Sequence, residues 1–417
     1  MRWLGLNAYW FGVSFMWGAV HSFMLPQIVS ALGGAARNTR YGLLTFAGLV
    51  VAMLMTPISG ALSDRTRGRW GRRRPWMVLG AFLSGGSLLL LASAKSYLAV
   101  AAAYLALQFC SNLAHGAGQG LIPDCVPENE RGIASGAKSF LDMLAVVAVA
   151  VAISRVLAGD SGRYGQAAAI VAGVLLASLI LTLIVARERP LPQGDGARAA
   201  GFLAVLRAVY AMDLRLHGDY GRLLVCRFLV LLAIYLVQAF AYYFVADALA
   251  VGDAATEVGH LMAIIGVSVM LASLPAGYLS ERWGRRTLSL ASCGALALGM
   301  AVMSQARDVT SIGILGALIG AAMGVFNAVN WAWATDLVPA DQAGRYLGLS
   351  NLATAGSGAT ARLFGPVIDL ANGWLPQFGY TLMFVVAAGS ALAALIVTRR
   401  LVEPRGCEQG PASGGGL

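Results

Sequence analysis

The sequence predicts an all-helical membrane protein of twelve spans, arranged as two similar six-helix halves. Three observations predict it. Hydrophobic residues make up 58% of the chain and charged residues only 12%, against roughly 25% charged in soluble domains. The apolar residues gather into runs long enough to cross a ~30 Å hydrocarbon core as helices. Six arginines crowd into the ten residues Arg65–Arg74, between two such runs, and short basic loops of this kind stay on the cytoplasmic side.

The runs lie at 7–32, 41–63, 75–94, 97–122, 132–158, 164–187, 221–248, 254–279, 286–304, 309–336, 344–372 and 376–400. The first is too long for the apolar core of a cleaved leader, so it begins a spanning helix. Arg2, the Arg65–Arg74 cluster, Arg131, Arg187, Arg189, Arg207, Arg215, Arg282, Arg285, Arg286, Arg345, Arg399 and Arg400 all fall on one side of this assignment. The other side holds Arg37, Arg40, Lys95, Arg163 and Arg307. An even number of spans then places both termini in the cytoplasm, and the chain in a cell (inner) membrane as a multi-pass protein.

Four segments follow. Residues 1–190 form the N-terminal half and 220–402 the C-terminal half. Residues 191–219 form a cytoplasmic linker in which Phe202–Leu216 has the spacing of an amphipathic surface helix. The Gly-, Ser- and Pro-containing tail at 403–417 reads as disordered. The net charge of +10 does not mark a nucleic-acid binder, because the basic residues sit in short loops between apolar runs. No nucleotide-binding loop, metal motif or cofactor motif is present, and five unpatterned cysteines read as small buried hydrophobes. The expected partners are the lipid bilayer and a small solute, with the chain acting as a monomer and not as an enzyme.

The chain repeats itself. Gly277-Tyr-Leu-Ser-Glu281-Arg282-Trp-Gly-Arg285-Arg286 copies Gly60-Ala-Leu-Ser-Asp64-Arg65 with Trp70-Gly71-Arg72-Arg73, less five residues. Pro123-Asp124-Cys-Val-Pro127 is echoed by Thr335-Asp336-Leu-Val-Pro339. A parallel duplication of six spans points to halves that rock about a shared site near the bilayer midplane.

At these residues the chain resembles the major facilitator superfamily, through the G-x-x-x-D-R-x-G-R-R loop and its second copy. The longer Ser63–Pro75 form, Phe15–Pro26 and Asn112–Asp124 resemble its sucrose-transporter and SLC45-type branch, related to glycoside–cation symporters. The resemblance implies a proton-coupled carrier for sucrose, maltose or a related neutral glucoside. It also places the branch's membrane-embedded coupling aspartate at Gln108. An amide cannot cycle a proton, so coupling falls to His21, His115 or Asp142, or is absent. A histidine, with an ordinary pKa of about 6.5, is chemically able to do it. An uncoupled facilitator or exporter, and a non-transporting sensor or assembly factor, are the alternatives.

Site residues follow from the same pattern. Asp64 ends the second span, where the helix C-terminus disfavours a carboxylate, so it needs cations. Its expected partners are Arg65, Arg72 and Arg73 and the start of span eleven near Arg345. By the repeat, Glu281, beside Arg282 and Arg285, faces Arg131 and the start of span five. These residues read as a clamp on the cytoplasmic side. Ionisable residues inside spans are the sharpest clues, since each costs at least about 2.5–3.5 kcal/mol at mid-bilayer. Lys138 and Asp142 share a helix face; Arg362 and Asp369 read as a helix–helix tie. Polar residues for a sugar are Asn112, His115 and Gln119, then Tyr235, Gln238 and Tyr242 as one stripe, then Asn327, Asn330, Trp331 and Asn351. Trp3 and Trp10 read as interfacial belt residues.

Overall fold

The computed structural model describes residues 2–32, 34, 36–67, 70–127, 130–158, 163–186, 218–248, 253–306, 308–337 and 343–401. The surface helix expected at Phe202–Leu216 and the tail at 403–417 lie outside the described residues. The helices are α2 Arg37–Arg65, α3 Arg74–Ser93, α4 Tyr97–Gln119, α5 Arg131–Leu157 and α6 Tyr164–Val185. The second set is α7 Gly218–Ala248, α8 Ala254–Trp283, α9 Arg285–Met303, α10 Val309–Leu337 and α12 Phe378–Arg399. These ten are long and apolar enough to cross a membrane.

Two further helices, α1 and α11, are broken, each near a proline. In α1, the helix Ala8–Ala19 passes through the π-helical turn Val20–Met24 into Leu25–Ala31. The Leu25 N–H reaches back five residues to the Val20 carbonyl. The same step at Pro26 would serve the His21 carbonyl, but proline has no N–H. The Tyr41 hydroxyl donates to that carbonyl instead, at 2.9 Å. In α11, Ala343–Arg362 stops and Gly365–Trp374 resumes, with Pro366 in its first turn.

The packing reproduces the internal repeat. In the first half α1 packs on α5 and α6, α4 on α2 and α3, and α3 on α6. In the second half α7 packs on α11 and α12, α10 on α8 and α9, and α9 on α12. Each contact has its counterpart six helices on. The halves meet through α2 with α11 and through α5 with α8, which the same operation exchanges.

Small residues set the closest approaches. A Cβ at Gly320 of α10 would come within 2.8 Å of the Ile265 carbonyl of α8, as expected of a small-residue face. Cys110, Cys226 and Cys293 are buried free thiols, while Cys407 lies outside the described residues.

Candidate functional site

The two halves touch closely at one face. On the face opposite the arginine loop, a Cβ at Gly42 of α2 would overlap the Arg362 carbonyl of α11, and one at Gly259 of α8 would come within 2.6 Å of the Ala150 carbonyl of α5. Polar contacts latch the same face. Asp369 accepts from Asn38 Nδ2 at 2.8 Å, from the Thr39 N–H at 2.7 Å and from Thr39 Oγ1 at 2.6 Å. Asp247 pairs with Arg37 and accepts from Tyr380 Oη at 2.5 Å. On the arginine-loop face, a Cβ at Gly277 would meet nothing within 4 Å, and one at Gly60 would meet the Gly116 carbonyl of its own half at 3.8 Å.

Between the halves lies a cavity of about 560 Å³, inside the usual range of small-molecule sites. Both halves line it. The first contributes Trp10, Ser14, Trp17, His21, His115, Lys138 and Asp142; the second contributes Tyr235, Gln238, Thr354, Gly358 and Arg362. The π turn of α1 re-aims His21 into this space, a common use of such turns. Its Nε2 lies 2.9 Å from Tyr104 Oη, and its ring stacks on Trp17 at 4.9 Å.

Lys138 Nζ donates to Asp142 at 2.9 Å, and Ser14 Oγ donates to the other Asp142 oxygen at 2.7 Å. The same ammonium lies 4.3 Å from the Trp10 ring centre, and His115 meets that ring edge-on at 4.9 Å. One cavity corner therefore holds a balanced ion pair bracketed by aromatic rings, in which a proton and Lys138 can compete for one carboxylate.

Of the residues expected to contact substrate, His115, Tyr235 and Gln238 line the cavity. Tyr242 does not share that lining and packs against Tyr243. Asn112 is buried behind it: its Nδ2 donates to the Gln108 side chain at 3.1 Å and its Oδ1 accepts from Thr56 at 3.0 Å. Gln108 donates in turn to Tyr104 at 2.7 Å, so the amide standing at the resemblance's coupling position links Asn112 to the His21 partner. Gln119 is exposed at the end of α4 and Asn327 half-buried on α10. Asn330 accepts from Arg227 at 2.9 Å, and Trp331 lies under the same guanidinium. The side chain of Asn351 lies outside the described residues.

Of Arg362 and Asp369, Asp369 makes the expected helix–helix tie, joining α11 to α2, and Arg362 does not. Seven apart, they would share a face of a continuous helix, but the break at Pro366 turns the second segment so that Asp369 reaches Asn38 and Thr39 while Arg362 faces the cavity. Trp10 is not a belt residue; it is 5% exposed and forms cavity wall.

Of the expected clamp residues, Asp64, Arg72 and Arg73 form a cluster within the first half. Asp64 pairs with Arg73 at 2.6 Å and with Arg72 at 3.8 Å. Both arginines also pair with Asp124, whose Oδ2 lies 3.0 Å from Arg73 Nε. Arg65 ends α2 beside them. In the second copy Glu281 is exposed, Arg282 covers the Tyr278 ring at 4.6 Å and Arg285 opens α9. The side chains of Arg131 and Arg345 lie outside the described residues.

Asp124 as the hub escapes sequence reasoning about the loop alone; the signal was its recurrence as Asp336. Arg73 is 6% exposed and keeps Asp64 when Asp124 is lost, so Asp124→Ala removes one of two carboxylates from a buried cation and one from Arg72. It is expected to cost about 2 kcal/mol, and Asp64→Ala, at a half-exposed carboxylate, under about 1 kcal/mol. Thermal melting of the two purified variants compares them; equal losses would show that Asp124 is not the hub.

A family model described as Major Facilitator Superfamily matches residues 6–359 and 223–415. Among curated proteins the chain is similar to the "Membrane-associated transporter protein" of Homo sapiens, 30% identical over 82 residues, covering 19% of this chain and 15% of that protein. It is also similar to the "General alpha-glucoside permease" of Schizosaccharomyces pombe, 36% identical over 80 residues, covering 19% of this chain and 14% of that protein. The matched stretch thus spans about a seventh of the curated relatives' length.

Solved structures with the same fold include the nucleoside transporter NupG, at TM-score 0.74 and 14% identity, covering 97% of this chain and 100% of that one. A D-xylose–proton symporter gives 0.70 and 17%, covering 96% of each chain. A bacterial homologue of the lysosomal transporter Spinster, inward-facing and occupied, gives 0.73 and 14%, again covering 96% of each.

Proposed function

This chain belongs to the Major Facilitator Superfamily, and from that premise we propose that it moves a glycoside across the membrane by alternating access, coupled to a proton. It is a transporter, not an enzyme. The carrying observation is the cavity, lined by both halves, with the halves in close contact at the face opposite the arginine loop. A solute held there leaves on the opposite side once the two halves rock about the shared site.

In this reading twelve helices cross a cell membrane, the inner one where there are two, with both termini and the arginine loop in the cytoplasm. The halves are 1–190 and 220–402, joined by 191–219, and one monomer suffices. The conformation described is then open to the cytoplasm, with Asp64 bound to its own half. Asp64 and Glu281 clamp the cytoplasmic side when it closes, so Asp64→Asn shifts the population further toward the inward-open state. Tyr235 and Gln238 face the sugar hydroxyls, and the Trp10 and Trp17 rings offer an apolar platform. Asp142 is the coupling group, since it alone among His21, His115 and Asp142 is a carboxylate already shared between a cation and a hydroxyl.

The glycoside class is supported by the resemblance of Ser63–Pro75 and by the similarity to a protein named as an alpha-glucoside permease. Proteoliposome uptake of glycosides with and without a pH gradient tests the proposal. Accumulation against a concentration gradient supports symport. Equilibration alone makes the chain a facilitator or exporter, and absence of flux makes it a sensor or assembly factor.

A further inference from the structure

Arg362 stands at the closed end of the cavity, in the last turn of the first α11 segment. Its Nη1 donates to the Gly358 carbonyl of its own helix at 2.9 Å, while its Nε is buried with no hydrogen-bond partner. Among the described residues no carboxylate pairs with it: Asp142 is taken by Lys138, and Asp369 by Asn38 and Thr39. The cavity wall therefore carries one positive charge in excess. Gly358 lies between the guanidinium and the Tyr235 ring; a Cβ there would meet them at 3.4 and 3.5 Å, ordinary contact distances. Arg227, nearer the arginine-loop end of α7, likewise has only neutral partners, Asn330 and the cavity residue Thr354.

A guanidinium open to water in a half-open cavity costs little. Alternating access, however, requires the cavity to close around its load and shed that water. An unmatched buried charge is then strongly unfavourable, and a neutral sugar hydroxyl does not match it. A planar oxyanion does, through paired charge-assisted hydrogen bonds to the guanidinium fork.

We propose that Arg362 is the anion subsite of the transported solute: the glycoside carries one negatively charged oxyanion group, carboxylate or phosphate, in place of the neutral sugar that the family resemblance implies. This rests on the transport reading above and names its substrate class. The oxyanion engages the two Nη atoms of Arg362, and the sugar ring lies toward Tyr235 and Gln238.

Matched probes test it on the purified full-length protein: methyl glucoside against methyl glucuronide, and glucose against glucose 6-phosphate, by calorimetric titration. At least one acid is expected to bind about tenfold or more tighter than its own neutral parent, and the two pairs show whether carboxylate or phosphate is preferred. Arg362→Gln should erase the difference, and Arg362→Lys, a point charge without the fork, should keep part of it. Neutral parents that bind as tightly as their acids, or an acid preference intact in Arg362→Gln, overturn the proposal. If a neutral parent is nevertheless carried into vesicles, the glycoside reading stands without it. If no member of either pair binds, both fall.

Discussion

Replacing Asp369 by alanine is expected to unlatch the closed face and move the resting population toward a cavity open on the side opposite the arginine loop. Asp369 sits on the second segment of α11 and receives three hydrogen bonds from Asn38 and Thr39 at the start of α2. All three cross from one half to the other, and they exist only while this face is shut. Hydrogen bonds to a charged acceptor contribute about 1.5–3 kcal/mol. Because Asn38 and Thr39 regain water when freed, a net loss of about 2 kcal/mol, roughly a thirtyfold shift, is the expected size.

A single cysteine placed at Ala355 on the cavity wall, in a background without the native cysteines, reports the change. Labelling by an impermeant thiol reagent from the face opposite the arginine loop should rise in Asp369→Ala. Asp247→Ala, which removes the partner of Arg37 and Tyr380, should act in the same direction. Unchanged labelling in both variants would mean that apolar packing, such as Gly42 against the Arg362 carbonyl, holds the face shut without help from the carboxylates.

Asp142→Asn is expected to abolish gradient-driven accumulation while leaving exchange of solute for solute. The amide keeps the size of the side chain and still accepts from Ser14, but it neither releases a proton nor holds Lys138 by charge. Solute accumulation under an imposed pH gradient should fall by up to about tenfold for each pH unit imposed, since a pH unit is worth one decade of concentration at most per proton. Counterflow in preloaded vesicles should persist, and the dependence of uptake on pH should flatten. If Asp142→Asn still accumulates solute, coupling moves to His21, held by Tyr104, or to His115 against Trp10. His21→Gln and His115→Gln separate those two by the same measurement.

The helical class and the repeat were legible because each follows from one-dimensional quantities: the length of apolar runs and the recurrence of Asp64–Arg73 as Glu281–Arg286. The Lys138–Asp142 pair was also legible, because four residues of helix place both on one face. The substrate wall was legible only in part. Tyr235 and Gln238 reach the cavity, yet Tyr242, one turn on, has rotated away, and Asn112 is spent on Gln108 and Thr56. Helical spacing says which residues share a face; it does not say how far along the helix the cavity extends.

By itself, then, the sequence determined what kind of solvent surrounds this chain, which ends of its helices share a side, and that its two halves are copies. Hydropathy and charge act locally and survive any arrangement of the helices. Only the tertiary structure decided which buried charges are neutralised and which are left for a ligand. The break at Pro366 sends Asp369 to the latch and Arg362 to the cavity, and the π turn before Pro26 delivers His21 there too. Both outcomes depend on where a missing backbone N–H bends a helix and on which neighbouring helix then offers a partner, and that choice is made only when the bundle packs.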